Sequence, residues 1–111
     1  MRVRVDVDAE PMLPQARASM RVFVLTELHR VLLGLDALVD EVEVTARRVH
    51  RKRAPGWTVV ARVTARGLAP FEVRADAPRP HAAADEVIYA IWQRLRAVRD
   101  DREPAPTRLT A

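Results

Sequence analysis

Four short segments of this 111-residue chain alternate apolar and polar residues, and the last three follow one another after only short connections. A period of two places every second side chain on one face, which predicts half-buried β-strands. The pattern is clear at the start, where Val3, Val5 and Val7 alternate with charged residues. The four segments cover residues 2–8, 41–47, 58–66 and 71–76. The short connections predict that the last three strands form an antiparallel meander.

Two longer segments place apolar residues three and four positions apart, which is typical of amphipathic helices. The first is predicted from about Pro14 to Gly34, with Gly34 as the C-cap. The second is predicted from about His81 to Asp101. The first helix has its apolar stripe at Ala16, Met20, Phe23, Val24, Leu28, Val31 and Leu35. The second has its stripe at Ala84, Val87, Ile88, Ile91, Leu95 and Val98.

The resulting order, β-α-β-β-β-α, predicts an α+β fold in two layers. A four-stranded sheet would bury its Val and Ala face under both helices. The length suits a single domain, which we place at residues 1–102. Residues 103–111 contain Pro104 and Pro106 and are predicted to be a disordered tail.

The chain has no cysteine, which excludes disulfides, thiolate metal sites and a cysteine nucleophile. The absence is consistent with a reducing cytoplasm, where we expect the protein to reside. The first residues alternate charge and valine and lack the apolar region of a signal peptide. The most apolar run, Met20 to Leu35, is too short and too charged to span a membrane.

Nothing in the sequence predicts catalysis. Three glycines cannot build a phosphate-binding loop, and the three histidines lie in different elements without metal-ligand spacing. Asp6 and Asp8 share one side of a strand, where pairing with arginines across the sheet is favoured over Mg²⁺ binding. We therefore expect no catalytic residue, no metal, no cofactor and no small-molecule substrate.

Positive charge is concentrated in the middle of the chain. Residues 41–80 hold nine cations against four acids, whereas the whole protein has a net charge of +4. Five of these cations lie in the run Arg47–Arg53, and nearly all are arginine, which forms forked contacts with phosphate. The predicted RNA-binding residues are Arg47, Arg48, Arg51, Lys52, Arg53, Arg62, Arg66, Arg74, Arg79, Arg94, Arg96 and Arg99. The alternative for the run is a solvated loop, and for Trp92 the favoured interpretation is packing at the core edge beneath Arg96.

Three segments resemble the ribosome hibernation promoting factor family, whose members are also described as ribosome-associated inhibitors and sigma-54 modulation proteins. The run His81–Asp85, with Leu95 ten residues after Asp85, is similar to the start of the family's second helix. Phe71–Asp76 is similar to its last strand, and Pro14–Arg17 to the opening of its first helix. The resemblance extends over roughly residues 2–100 and indicates a short or divergent form.

The resemblance implies binding to ribosomal RNA of the small subunit, at the sites of tRNA and mRNA, which would hold the ribosome inactive. A second hypothesis starts from Val22, Leu25 and Leu33, which lie off the apolar stripe of the first helix. If exposed, they form a surface for a protein partner or a homodimer; otherwise the second helix covers them. Binding to another structured RNA is a third alternative.

Overall fold

The computed structural model describes residues 1–50 and 55–102, apart from the side chain of Arg102. The elements are β1 Arg2–Asp8, α1 Pro14–Val31, a short 3-10 helix Asp36–Leu38, β2 Val39–His50, β3 Pro55–Ala65, β4 Phe71–Ala77 and α2 Pro80–Arg102. This is the predicted order β-α-β-β-β-α, and the α+β fold is confirmed.

The four strands form one mixed sheet in the order β1-β2-β3-β4. β2, β3 and β4 pair antiparallel, so the predicted meander is confirmed. β1 pairs with β2 in parallel, with Val3 opposite Val42 and Val5 opposite Val44. A parallel pair requires a crossover connection, which α1 provides.

The core lies between the sheet and the helices. One face of the central strands is closed by Val42, Val44, Val59, Ala61 and Val63, all of which are buried. α1 buries Met20, Val24 and Leu28 against this face, and α2 buries Val87, Ile91 and Leu95. Because the other face of the sheet is charged and uncovered, the domain has two distinct sides: an outer sheet face and a helical layer.

α1 ends three residues before the predicted boundary. The helix stops at Val31, and Gly34 follows in a turn with φ +85°, a left-handed conformation that favours glycine. Leu32 and Leu35, on either side of this turn, are both buried. The turn therefore anchors the end of α1 to the core. Ala16 was predicted to face the core, which is wrong, because the buried stripe of α1 begins one turn later at Met20 and Ala16 is exposed.

The connection between β1 and α1 is held by Arg17. Its guanidinium donates hydrogen bonds to the carbonyls of Val7 at 3.0 Å and Ala9 at 3.1 Å, and to the Glu10 carboxylate at 3.2 Å. One side chain on the helix thus satisfies a backbone carbonyl near the end of β1 and another in the connection that follows.

Candidate nucleic-acid interface

The hairpin of β2 and β3 projects beyond its neighbours. β1 is last paired at Asp8 with Arg47, and β4 is last paired at Ala77 with Trp57. β2 and β3 continue to pair with each other as far as His50 and Pro55. At about 3.3 Å per residue, the three extra residues of β2 extend the hairpin by roughly 10 Å. Arg51, Lys52 and Arg53, three of the predicted RNA-binding residues, lie outside the described residues. They are called the tip residues here for their place between β2 and β3 in the sequence.

Arg47 and Arg48 point to opposite sides of this hairpin, because adjacent residues of a strand face opposite ways. Arg47 is exposed on the outer sheet face, where its Nε lies 3.3 Å from Oδ2 of Asp8. Arg48 points to the helix side, with its guanidinium 5.2 Å from the centre of the Trp57 ring. It also donates a hydrogen bond to the carbonyl of Pro11 at 3.0 Å. Arg48 thus contacts the protein itself, whereas Arg47 is accessible to a ligand.

The outer sheet face carries alternating positive and negative side chains, so it is not a uniformly basic surface. The register places Arg4, Glu43, Arg62 and Glu72 in one row across the four strands. Arg62 is therefore flanked by two carboxylates. Arg66, just after β3, has its Nε 3.8 Å from Oδ1 of Asp40. Opposite charges on neighbouring strands attract one another and reduce the net potential of the face.

A shallow depression lies on the outer sheet face at the base of the hairpin. Its floor and rim are formed by Thr45, Arg47, Val49, Thr58, Val60 and Arg74. Asp76 accepts a hydrogen bond from the Thr58 hydroxyl and lies 3.6 Å from a guanidinium nitrogen of Arg74. Arg47 and Arg74 stand on β2 and β4 with β3 between them, so both can contact an anion that rests on the threonines.

The arginines of α2 lie on the helical layer instead. Arg94 is over the Phe71 ring at 4.4 Å, and Arg96 is over the Trp92 ring at 5.0 Å. Nε of Arg96 and Nε of Arg99 lie 3.8 Å and 3.7 Å from the carboxylate of Asp100. Arg79 is exposed just before the helix. Of the predicted RNA-binding residues, the structure thus groups Arg47, Arg62, Arg66 and Arg74 on the sheet side and separates them from those of α2.

The three apolar residues singled out on α1 have different environments. Val22 is 61% exposed and Leu33 is 81% exposed, whereas Leu25 is half-buried. α2 therefore does not cover Val22 and Leu33. Trp92 is half-buried at the edge of the core with Arg96 over its ring, as the favoured interpretation predicted.

Sequence reasoning missed the groove between the two helices, which is lined by Glu27, Arg30, Val31, Asp85, Ile88 and Tyr89. No sequence signal could have revealed it, because it depends on how α1 and α2 pack. Within the described part of the chain, no three His, Asp or Glu side chains cluster as metal ligands. No helix there is long and apolar enough to cross a lipid bilayer.

Two solved structures have this fold over nearly their whole length. A ribosomal subunit interface protein from Coxiella burnetii matches with a TM-score of 0.69 and 14% identity, covering 90% of this chain and 99% of that one. The N-terminal domain of Protein Y from Thermus thermophilus matches with a TM-score of 0.61 and 16% identity, covering 88% of this chain and 99% of that one. The resemblance inferred from sequence is thus confirmed for the fold. No protein-family model and no curated protein matches the sequence.

Proposed function

We propose that this chain is a cytoplasmic, non-catalytic ribosome hibernation factor. It binds ribosomal RNA of the small subunit and sterically blocks the sites of tRNA and mRNA. The observation that carries the proposal is the shared fold with a ribosomal subunit interface protein over 90% of the chain. The projecting hairpin supports it, because its strands lead into a run of five cations between Arg47 and Arg53, which suits contact with RNA phosphates.

The proposed RNA interface is the hairpin together with the adjoining depression on the outer sheet face. Arg47 and Arg74 contact phosphates there, since both guanidinium groups are accessible. Their carboxylate partners, Asp8 and Asp76, lower the local positive potential. Most of the electrostatic attraction therefore comes from the tip residues Arg51, Lys52 and Arg53.

Arg62 and Arg66 belong to the same side and add weaker phosphate contacts, because carboxylates of neighbouring strands compete for them. Arg48 contributes indirectly, by bracing the base of the hairpin. Arg79, Arg94, Arg96 and Arg99 form a second, separate set of predicted RNA contacts on the helical layer. A small domain bound between two RNA surfaces can present both of its sides to RNA.

The decisive experiment compares two triple variants that lose the same charge. One replaces Arg51, Lys52 and Arg53 with Ala, and the other replaces Arg94, Arg96 and Arg99 with Ala. Binding to purified small subunits is measured by co-sedimentation over a series of salt concentrations. We expect the tip variant to bind more weakly. We also expect the slope of log affinity against log salt to fall by roughly 2, as for the loss of three phosphate contacts.

The helix variant tests the second set of predicted contacts, and we expect it to lose less affinity and less of the salt slope than the tip variant. Failure of the unmodified protein to co-sediment with small subunits would contradict the whole proposal. Equal losses in the two variants would contradict the assignment of the main interface to the hairpin. We also propose that the protein acts in the stress response of stationary-phase cells, and co-purification with ribosomes from such cells would support this.

A second candidate is a protein-interaction module that works through α1. The observation in its favour is the exposure of Val22 and Leu33, two large apolar side chains on the outer side of the helical layer. Light scattering over a range of concentrations tests for a homodimer through this face, and Val22→Lys should dissociate it. A stable dimer that ignores ribosomes would favour this candidate. Binding to a non-ribosomal structured RNA with equal affinity would favour the third alternative.

A further inference from the structure

A narrow groove runs between α1 and α2 on the outer side of the helical layer. The helices meet at Phe23 and His81, whose rings contact edge to face with centres 4.3 Å apart. Further along both helices lies a groove with Val31 and Ile88 among its lining residues. Polar side chains from both helices stand beside these apolar residues. The groove is therefore an apolar slot with a charged rim.

The rim carries two carboxylates and one guanidinium. Arg30 forms a forked pair with Glu27, with distances of 3.1 Å to Oε1 and 2.7 Å to Oε2. These hydrogen bonds lower the pKa of the Glu27 carboxyl, so the pair is ionised and self-neutralised at neutral pH. Asp85, across the groove on α2, is an exposed second carboxylate. The groove thus has a net charge of −1. Asp85 lies outside the forked pair, although, in addition to the hydrogen bonds with Glu27, its charge also raises the pKa of Arg30.

The ring of Tyr89 lines one side of the groove and packs against a second aromatic ring. Tyr89 is 55% exposed and stacks on Trp92, with ring centres 5.5 Å apart and planes inclined by 23°. Trp92 is itself capped by the guanidinium of Arg96 at 5.0 Å. Trp92 lies one turn beyond Tyr89, whereas Asp85 lies one turn before it. Asp85 and Tyr89, which both line the groove, are therefore neighbours on one side of α2.

We propose that this groove binds an arginine side chain of a partner protein. A guanidinium stacks flat on an aromatic face and forks onto a carboxylate, and Tyr89 and Asp85 offer both features side by side. The positive charge of this guanidinium neutralises the net charge of −1 in the groove. An unpaired nucleobase would also stack on Tyr89, but its phosphates would approach a site that is already negative. A lysine lacks the planar group that fits the slot.

The helical layer as a whole suits a protein partner as well. The large apolar side chains exposed in the described part of the chain are Leu13, Val22, Leu33 and Tyr89, and all belong to the two helices or the turns beside them. The outer sheet face has none among its described residues. The proposed RNA side and the proposed arginine-binding side are therefore different. The inference does not depend on ribosome binding.

Tyr89 provides a selective probe, because it is the chain's only tyrosine. Protein labelled with ¹³C in the tyrosine ring is titrated by NMR with the peptide acetyl-Gly-Arg-Gly-amide. We expect a saturable shift of the ring signals with a dissociation constant of about millimolar order, as for a single side chain. The same peptide with citrulline, which has the same shape without the charge, and the peptide with lysine should bind several-fold more weakly.

Two variants localise the contact. Asp85→Asn removes the proposed carboxylate partner and should weaken binding of the arginine peptide by about fivefold, the upper range for an exposed ion pair. Glu86→Gln removes the same charge from the neighbouring exposed position, which does not line the groove, and should leave the affinity unchanged. Circular dichroism of both variants confirms that the helices are intact.

Several results would overturn the proposal. The absence of any shift with the arginine peptide would show that the groove does not take this side chain. Equal shifts with citrulline would show that charge plays no part. Tighter binding of guanosine monophosphate than of the arginine peptide would identify a nucleobase site instead. Equal effects of Asp85→Asn and Glu86→Gln would indicate a general electrostatic attraction rather than a contact.

Discussion

The guanidinium of Arg48 lies 5.2 Å from the centre of the Trp57 ring, directly across the β2–β3 pair. The same group donates a hydrogen bond to the carbonyl of Pro11. Arg48 thus joins the base of the hairpin to the connection between β1 and α1. Although Arg48 belongs to a basic run, its contacts give it a structural role.

Replacing Arg48 should destabilise the folded protein. We expect Arg48→Ala to lower the free energy of unfolding by about 1–2 kcal/mol, since both a cation–π contact and a hydrogen bond are lost. Arg47→Ala, which removes the same charge from the exposed side, should change it by less than about 0.5 kcal/mol. Urea denaturation measures the free energy of unfolding of both variants. Equal effects would mean that the contact with Trp57 contributes nothing.

Arg17 should contribute more to the stability of the fold than its neighbours on α1. Arg17→Ala removes the donor to the carbonyls of Val7 and Ala9, and we expect a loss of about 1–3 kcal/mol of stability. Arg21→Ala, one turn further along and exposed, is the control and should be nearly neutral. Thermal unfolding followed by circular dichroism compares them. A larger loss in the control would contradict the assigned role.

Gly34 should tolerate other residues poorly although it has room for them. Its φ is +85°, and a Cβ added there would meet nothing within 4 Å. The cost of Gly34→Ala is therefore conformational, and we expect about 1–2 kcal/mol of destabilisation. Gly34→Asn should cost less, since asparagine adopts left-handed conformations more readily. Identical stabilities for the two variants would argue against this explanation.

The Glu27–Arg30 pair should make stability depend on pH. The hydrogen bonds from Arg30 lower the pKa of Glu27 below its ordinary value of 4.5 in the folded state. The stabilisation is therefore present above about pH 4.5 and disappears as the pH falls through the lower folded-state value. Glu27→Gln should lower the melting temperature at pH 7, and this effect should shrink progressively as the pH falls below 4.5. A shift that stays the same size from pH 7 into the acid range would contradict the linkage.

Asp8 should weaken RNA binding through its contact with Arg47. Under the proposed function, Asp8→Asn frees Arg47 and removes a negative charge near the RNA. We expect ribosome affinity to rise by about threefold, the size of a typical exposed ion pair. Asp36→Asn, which removes the same charge at an exposed position on the 3-10 helix, is the control. Unchanged affinity in Asp8→Asn would place Arg47 outside the interface.

The element order could be predicted from the sequence because strand and helix periods are local properties. The alternation at Val3, Val5 and Val7 is readable without any knowledge of their partners. Boundaries were less accurate where tertiary contacts extend or shorten an element. β2 runs on to His50 because β3 pairs with it there, and α1 stops early because Leu32 and Leu35 are drawn into the core.

The candidate site could be predicted only in part, for the same reason. The charge run from Arg47 to Arg53 is visible in the sequence, but the separate roles of Arg47 and Arg48 depend on Asp8, Trp57 and Pro11, which are distant along the chain. The register between strands determines that Arg62 stands between two carboxylates.

The sequence by itself determined the kinds of element, their order and the position of the basic hairpin, because each is a property of a short stretch of chain. Only the tertiary structure decided which arginines face outward and which brace the fold. It also formed the groove between α1 and α2, which no single helix contains. Local patterns specify what a segment becomes, whereas packing and register decide which side chains meet.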